Sequence, residues 1–183
     1  FPGLDHGFEG KLKRMFDISA AGVGLLVASP LMILVALAIR MTSRGPALFR
    51  QERVGLRGET YTILKFRSMR LDAEQNGAEG AQEDDPRSTW LGSWLRKAHL
   101  DELPQLLNVL WGDMTLVGPR PERPEFVEQL RKQIPYYDLR HMMKPGVTGW
   151  AQVRHPYAAS VDDTLAKLEY CLYTHLPAHE TLR

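Results

Sequence analysis

Two adjacent carboxylates, Asp101 and Glu102, lie in an otherwise apolar stretch with leucines on both sides. A charge in such a setting costs desolvation free energy unless it is paired, bound to a metal or used in chemistry. Pro104 follows and suits the first turn of a helix, so the pair is predicted just ahead of a helix through residues 106–110. The simpler interpretation is a helix N-terminal charge, because acidic residues favour that end of the helix dipole.

Basic residues near this pair could hold a phosphate. Lys65 and Arg67 share one face of a predicted strand, and we expect them to project together, as an anion clamp or as two solvated charges. Arg120 is held in a stiff loop between Pro119 and Pro121. A rigid arginine suits bidentate phosphate binding, and an ordinary surface arginine is the alternative.

Carboxylates beside basic residues fit phosphoryl chemistry, in which a carboxylate attacks phosphorus or holds Mg²⁺ while Arg and Lys hold the phosphate oxygens. Arg96 lies close to the pair in sequence. The glycine-rich segment 145–150 could bring backbone N–H groups to a ligand or serve as a connector. The sequence contains neither GxxxxGK[ST] nor GxGxxG, which excludes a P-loop enzyme and gives no support to a dinucleotide site.

Composition narrows the classes further. The 183 residues suffice for one domain with a real core, and a net charge of +1 gives no general nucleic-acid footprint. With one cysteine, a disulfide framework and a cysteine-rich zinc site are both excluded within the chain. The six histidines form no HExxH motif.

Residues 15–39 are apolar except for Asp17. This segment is long enough for a membrane span. Ser29-Pro30 interrupts the segment, so a kink or break is expected there. Both flanks are basic, and each therefore favours the cytoplasmic face. A helix–break–helix that dips into one leaflet and returns satisfies both flanks. A kinked transmembrane helix and a core helix of a soluble protein remain alternatives.

The remaining elements are predicted from periodicity and turn signals. Strands are expected from residue 47 onwards and over 60–69, and helices over 90–96, 123–133 and 161–173, with a polar loop over 71–87 that could act as a lid. Trp90 and Trp94 could anchor at a membrane interface or pack in the core.

An ordered set of motifs resembles the bacterial sugar transferase family, the monotopic polyprenyl-phosphate phosphoglycosyl transferases. The resemblance covers roughly residues 11–173 and is specific because the motifs occur together and in order. They are Lys13-Arg14-x-Phe16-Asp17, Arg50-Gln51-x-Arg53-Val54-Gly55, Lys65-Phe66-Arg67-Ser68-Met69, Leu100-Asp101-Glu102-Leu103-Pro104-Gln105, Gly112-Asp113-Met114, Val117-Gly118-Pro119-Arg120-Pro121 and Pro145-Gly146-x-Thr148-Gly149-Trp150.

The resemblance implies transfer of a sugar-1-phosphate from a UDP-sugar to polyprenyl (undecaprenyl) phosphate, an EC 2.7.8 type of reaction. Asp101 matches the family nucleophile, which forms a covalent phosphosugar intermediate. Glu102 matches the partner carboxylate that helps to hold Mg²⁺. We expect the substrate-binding residues to be Lys65, Arg67, Arg96, Gln105, Arg120, Thr148 and Gly149.

The implied fold is a helix-rich α/β (α+β) catalytic domain with small strands, amphipathic helices at the membrane interface and a re-entrant membrane hairpin broken at Ser29 and Pro30. The expected divisions are a lead-in (1–14), the hairpin (15–40), the catalytic domain (41–173) and a tail (174–183). The implied location is the cytoplasmic face of the bacterial inner membrane, in the inner leaflet, with a homodimer left open and no nucleic-acid partner.

The wording Gln152-Val153-Arg154-x-Pro156-Tyr157 resembles the exopolysaccharide-type branch, whose members often carry this domain at the end of a longer chain, and a start at Phe1 agrees. One departure is Cys171, where the family usually has an acidic residue. A catalytically silent membrane-associated binding or scaffold domain is the main alternative function. A soluble Mg²⁺ phosphohydrolase is a weaker one.

Overall fold

The computed structural model describes residues 8–73, 85–154 and 168. Short 3-10 turns lie at Leu56–Gly58, Leu100–Glu102 and Tyr137–Met142. The helix-rich α/β class predicted from the sequence is confirmed. In chain order the helices and strands are α1 (Phe8–Thr42), β1 (Leu48–Val54), β2 (Thr60–Phe66), α2 (Trp90–Lys97), α3 (Gln105–Trp111), β3 (Thr115–Val117), α4 (Pro124–Gln133), β4 (Gly146–Thr148) and α5 (Trp150–Arg154).

Helix α1 leaves most of its apolar surface uncovered. By length and composition, Gly10–Thr42 could cross a membrane, with a mean hydropathy of 2.5 over its most apolar window. Only 11% of that window is buried. The core helix of a soluble protein would show the opposite pattern, so this exposure favours a membrane-embedded segment.

Helix α1 remains helical through Ser29 and Pro30, where the sequence predicted a break. Proline lacks an N–H, which deprives the Leu26 carbonyl of its usual helical donor. The Ser29 hydroxyl supplies the missing donor, because its Oγ lies 2.9 Å from the Leu26 oxygen. Helical structure therefore continues past Pro30 without a break, and both a kink at this position and the re-entrant path through the membrane stay predictions.

The only acidic residue in the apolar part of α1 binds the polar body of the protein. Asp17 is 4% exposed. Its carboxylate accepts hydrogen bonds from the Thr115 hydroxyl at 2.6 Å and the Leu116 N–H at 3.1 Å. Lys13, one helical turn earlier, pairs with Asp17 at 3.4 Å. These bonds satisfy a buried charge and fix α1 to strand β3.

Both ends of α1 are held by guanidinium groups. The Arg14 guanidinium donates to the carbonyls of Val109 at 2.6 Å and Leu110 at 2.8 Å, in the last turn of α3. At the other end, the Arg67 guanidinium donates to the Ser43 carbonyl and hydroxyl, at 3.2 and 2.6 Å. Cations suit helix C-termini, where carbonyls lack helical donors. The same polar body therefore contacts α1 on both sides of Pro30.

Two small sheets carry the loops around the carboxylates. Strands β1 and β2 form the expected antiparallel hairpin, with Leu48 opposite Phe66 and Val54 opposite Thr60, although β2 ends before the predicted residue 69. Strands β3 and β4 pair in parallel. A side chain on Gly118 or Gly146 would clash with the other strand's backbone, so this close pairing needs both glycines. Strand β4 thus occupies residues 146–148 of the glycine-rich segment 145–150.

Helix α2 confirms the helix predicted over 90–96. The Thr89 hydroxyl accepts from the Gly92 N–H at 2.9 Å and caps its first turn. Leu95 is buried, whereas Trp90 and Trp94 are 78% and 66% exposed. A core role for the two tryptophans is therefore wrong, and their exposure favours the membrane-interface interpretation.

Of the other predicted elements, one helix is confirmed and the rest lie mostly outside the described residues. Helix α4 confirms the prediction over 123–133, with Arg123 at its N-cap. Most of the predicted polar loop over 71–87, nearly all of the predicted helix over 161–173, Cys171 and the tail lie outside the described residues.

A single buried amide joins α3 to the free edge of β2. The Asn108 side chain, which is fully buried, accepts from the Leu64 N–H at 3.0 Å and donates to the Thr62 carbonyl at 2.8 Å. Its amide also donates to Asp113 at 3.2 Å. The amide therefore takes the place of a third strand, since it pairs backbone groups that would otherwise be buried without partners.

We predict that Asn108→Ala lowers the free energy of unfolding by about 3 kcal/mol, because it leaves the buried Leu64 N–H of β2 unpaired and removes the donor to the Thr62 carbonyl. Thermal unfolding in detergent, followed by circular dichroism, measures the effect as a lower Tm. The control is Gln133→Ala at the exposed end of α4, which should leave Tm unchanged. Equal Tm values for the two variants would contradict the assignment.

Candidate active site

The carboxylate pair lies in a tight turn between two helices. After α2, His99 adopts a left-handed conformation with φ 54°, and Leu100–Glu102 form a 3-10 turn. Leu100 and Leu103 pack against the apolar cluster that includes Val35 and Ile39 of α1. The pair thus lies just ahead of α3, as the sequence predicted, and the apolar residues around it anchor the turn to the core.

Glu102 is held by two cations. The Lys65 ammonium lies 2.6 Å from Glu102 Oε1, and an Arg120 guanidinium nitrogen lies 3.1 Å from the same oxygen. Burial alone would raise the pKa of Glu102, but the two positive charges outweigh it and lower the pKa to about 2. Glu102 is therefore a fixed negative charge throughout the physiological pH range.

Lys65 is a buried cation that depends on this pair. Its side chain, on strand β2, is 18% exposed. Burial lowers the pKa of Lys65, and the neighbouring Glu102 charge counteracts that effect. Because Lys65 and Glu102 neutralise each other, neither is left as an isolated charge in a desolvated site.

The pKa of Asp101 is shifted in the opposite direction to that of Glu102. It is 8% exposed, and burial raises its pKa above the ordinary value. The Glu102 charge acts in the same direction, while the charges of Lys65 and Arg96 oppose it. Two adjacent carboxylates with pKa values pushed apart are typical of sites in which each has a different chemical task.

Arg120 supplies the exposed cation of the site. Its side chain is 51% exposed, so the guanidinium faces both Glu102 and solvent. A second nitrogen donates to the Gln152 side-chain oxygen at 3.2 Å. A guanidinium with this exposure can bind an incoming phosphate without first being uncovered.

The other predicted binding residues make different contacts around the carboxylate pair. Arg96 is close enough for its charge to act on Asp101, and it donates to Ser88 at 3.0 Å. Gln105 is buried at the start of α3. Thr148 and Gly149 contact Gly118 at the base of the Arg120 loop, since the Thr148 carbonyl accepts from the Gly118 N–H at 2.9 Å.

Arg67 does not join Lys65. The Lys65 ammonium binds Glu102, whereas the Arg67 guanidinium binds Ser43 beside the end of α1. Arg67 follows the last residue of β2, so the strand periodicity that predicted a shared clamp no longer applies to it. The structure thus places Lys65 at the carboxylates and Arg67 at the helix.

Sequence reasoning missed Asn108 and Arg140, on which the site depends, and it named Arg53 and Gln152 only as motif residues without a role in the site. Asn108 carried a signal, because it is a polar residue within an apolar helical stretch and needs partners when buried. Arg140 carried no signal beyond its charge and Arg53 none beyond its place in a motif, since both donate to distant backbone carbonyls.

Among the described residues, no group of three or more His, Cys, Asp or Glu side chains is placed to hold a metal ion. Asp101 and Glu102 nevertheless supply two carboxylates in one turn. Mg²⁺ is commonly held by one or two carboxylates together with substrate phosphates rather than by an all-protein cage. The donor set therefore fits a metal shared with a phosphate-bearing substrate.

Comparison with known proteins agrees with this chemistry. The sequence profile described as bacterial sugar transferase matches residues 8–175. The chain is 49% identical over 162 residues to the UDP-N-acetylgalactosamine-undecaprenyl-phosphate N-acetylgalactosaminephosphotransferase of Aeromonas hydrophila, covering 88% of this chain and 38% of that protein. It is 45% identical over 163 residues to the UDP-glucose:undecaprenyl-phosphate glucose-1-phosphate transferase of Escherichia coli K12, covering 89% and 35%.

A third relative, the exopolysaccharide production protein PSS of Rhizobium leguminosarum bv. phaseoli, is 45% identical over 150 residues, covering 78% of this chain and 74% of that protein. The chain thus spans little more than a third of the first two relatives and most of the third. Because the family profile covers nearly the whole chain, including both carboxylates and every cation around them, this protein belongs to the bacterial sugar transferase family.

Proposed function

We propose that this protein transfers a sugar-1-phosphate from a UDP-sugar to polyprenyl phosphate. The observation that carries the proposal is the turn Asp101-Glu102, in which one carboxylate is fixed by Lys65 and Arg120 and its neighbour is not. The relatives named for this reaction support the substrate class. They differ in the sugar, so the proposal covers UDP-sugars as a class.

The reaction proceeds in two displacements. An Asp101 carboxylate oxygen attacks the sugar-bearing phosphorus, the new O–P bond forms, and the bond to the bridging oxygen breaks to release UMP. A polyprenyl phosphate oxygen then attacks the same phosphorus, which releases the Asp101 carboxylate and yields polyprenyl-diphosphate-sugar. The bonds and charges balance without an added oxidant, reductant or water.

The neighbouring residues stabilise the phosphates. Arg120 is placed to hold the diphosphate oxygens as negative charge builds up on the leaving UMP. Lys65 keeps Glu102 ionised and lowers the pKa of Asp101, which favours the attacking carboxylate. Glu102, together with substrate oxygens, would hold Mg²⁺, which neutralises phosphate charge when bound.

We also propose that α1 enters and leaves the membrane on the cytoplasmic face. Asp17 near one end of α1 and Ser43 beyond the other both bind the same polar body, and about 26 residues of helix, or roughly 39 Å, separate them. A helix that crossed a hydrocarbon core of about 30 Å would place its ends on opposite sides. Contact of both ends with one charged body favours a single side, and the exposed Trp90 and Trp94 suit the interface.

Asp101→Asn tests the nucleophile. The amide cannot form the phosphosugar adduct, so we expect UMP release to fall on the order of 10³-fold and the adduct to be absent from intact mass spectra. The assay offers a panel of UDP-sugars with Mg²⁺ and polyprenyl phosphate. The control is Asp138→Asn, an equally conservative change at an exposed ion pair with Arg131.

Two outcomes would overturn the proposed function. One is undiminished UMP release by Asp101→Asn. The other is a wild-type protein that releases no UMP from any UDP-sugar of the panel, which would favour the silent binding or scaffold domain.

Lys65→Met tests the electrostatic tuning. Asp101 must be ionised to attack, so activity falls as the pH drops through its pKa. The Lys65 charge lowers that pKa. Its removal should therefore move the acidic limb of the kcat/KM profile to higher pH, in addition to lowering the maximum. Lys132→Met, an exposed lysine on α4, is the control and should retain the wild-type profile. An acidic limb that stays in place or moves to lower pH would contradict the tuning.

Cysteine labelling tests the membrane path. Single cysteines at Lys11 and Arg44, in a background with the single native Cys171 changed to Ser, flank the apolar part of α1, residues 15–39. In inverted vesicles an impermeant maleimide should label both positions, and in right-side-out vesicles neither, until detergent opens the membrane. Labelling of the two positions from opposite sides would establish a crossing helix instead.

A further inference from the structure

The loop that carries Arg120 is fixed through its backbone carbonyls. Pro119 and Pro121 lack N–H groups, so this stretch offers mainly acceptors to its surroundings. Each of four successive carbonyls accepts a hydrogen bond from a different residue, two of them in strand β1. The donors are the Gly146 N–H to Pro119 at 2.9 Å, Arg140 to Arg120 at 2.6 Å, Arg53 to Pro121 at 3.2 Å and the Val54 N–H to Glu122 at 3.0 Å.

Two of these donors are largely buried guanidinium groups. Arg140 has an 11% exposed side chain, lies over the Tyr137 ring at 5.0 Å and comes within 3.9 Å of Glu122. Arg53 also binds the Gln51 side chain at 2.5 Å, and burial lowers its pKa. Burying a guanidinium costs desolvation free energy. The cost is offset where its planar set of N–H groups makes several hydrogen bonds that a neutral donor could not make.

The atom that Arg140 binds belongs to Arg120 itself. The carbonyl of Arg120 accepts from Arg140, while its guanidinium donates to Glu102 at 3.1 Å. The two prolines restrict the φ angles of their own residues and the conformation of the residues before them, but they do not fix where the loop lies on the body. Arg140 provides that attachment at the residue whose side chain enters the site.

We propose that Arg140, assisted by Arg53, is a positioning residue that holds the Arg120 backbone so that the Arg120 guanidinium meets Glu102 and the diphosphate. The inference rests on the proposed function for its consequence in catalysis. It extends that function to a residue that touches neither substrate nor the carboxylates. A displacement of about 1 Å in such a group can cost on the order of 10²-fold in rate.

A double-mutant cycle between Arg140→Gln and Arg120→Gln tests the coupling. With Arg120 present, Arg140→Gln should lower kcat/KM roughly tenfold; with Arg120→Gln it should have an effect of less than about twofold, because the group that it positions is gone. The matched control is Arg131→Gln, an arginine that pairs with the exposed Asp138 and not with the loop. It should act as wild type in both backgrounds.

A spectroscopic readout makes the test independent of activity. The side-chain Nε–H signal of Arg120 in ¹⁵N spectra, assigned by its loss in Arg120→Gln, should shift and broaden in Arg140→Gln and stay unchanged in Arg131→Gln. If no UDP-sugar is turned over, the proposed function fails, and this signal still decides whether Arg140 positions Arg120.

Arg140→Lys covers the case in which Arg140→Gln does not fold. Lysine keeps the charge and can still donate but lacks the planar guanidinium fork, so we expect an intermediate Arg120 signal and a smaller loss of kcat/KM that vanishes with Arg120→Gln. The inference is overturned if a folded Arg140 variant leaves the Arg120 signal unchanged, or if its loss of kcat/KM is equal in both backgrounds.

Discussion

A short ion pair between a partly buried lysine and a partly buried glutamate determines the arrangement of this site. Lys65 belongs to the β1–β2 hairpin and Glu102 to the turn before α3, so their 2.6 Å contact joins parts of the chain that are distant in sequence. Neither charge would be stable there alone. Asn108 keeps the two parts in register, because it bonds the β2 backbone on either side of Ile63, two residues from Lys65. Packing and charge therefore specify the same approach of α3 to β2.

The membrane helix imposes the second constraint. An apolar surface of this extent is stable in lipid, but the body beside it carries many charges that are not. A few buried polar contacts at the ends of α1 hold the apolar helix against the charged body. Asp17 and Arg14 serve one end, and Arg67 serves the other. Arg14, which the sequence pattern assigns to a basic flank, thus serves to attach the helix to the rest of the protein.

Local patterns predicted the elements well and the contacts between them poorly. The hairpin, α2, α4 and the place of the carboxylates before α3 follow from periodicity, prolines and caps, which act over a few residues. Lys65 and Arg67 were predicted together because the strand was expected to continue past Phe66; its end there places the two side chains on different partners. Arg140 could not be found, because its partner is a backbone carbonyl 20 residues away and such pairing leaves no local trace. Of the kink or break predicted at Pro30, the break is absent, since α1 stays helical there and the Ser29 hydroxyl donates to the Leu26 carbonyl.

The turn that presents Asp101 and Glu102 also forms part of the packing around the membrane helix. Leu100 and Leu103 pack on the apolar cluster that contains Val35 and Ile39 of α1. Because these two leucines directly flank the carboxylates, the height of the carboxylates above the apolar surface of α1 is set by side-chain packing. For the proposed polyprenyl phosphate acceptor, which would diffuse in the plane of the membrane, the search for these carboxylates becomes two-dimensional. A thicker or thinner bilayer would act on the turn directly, through the packing of two leucines.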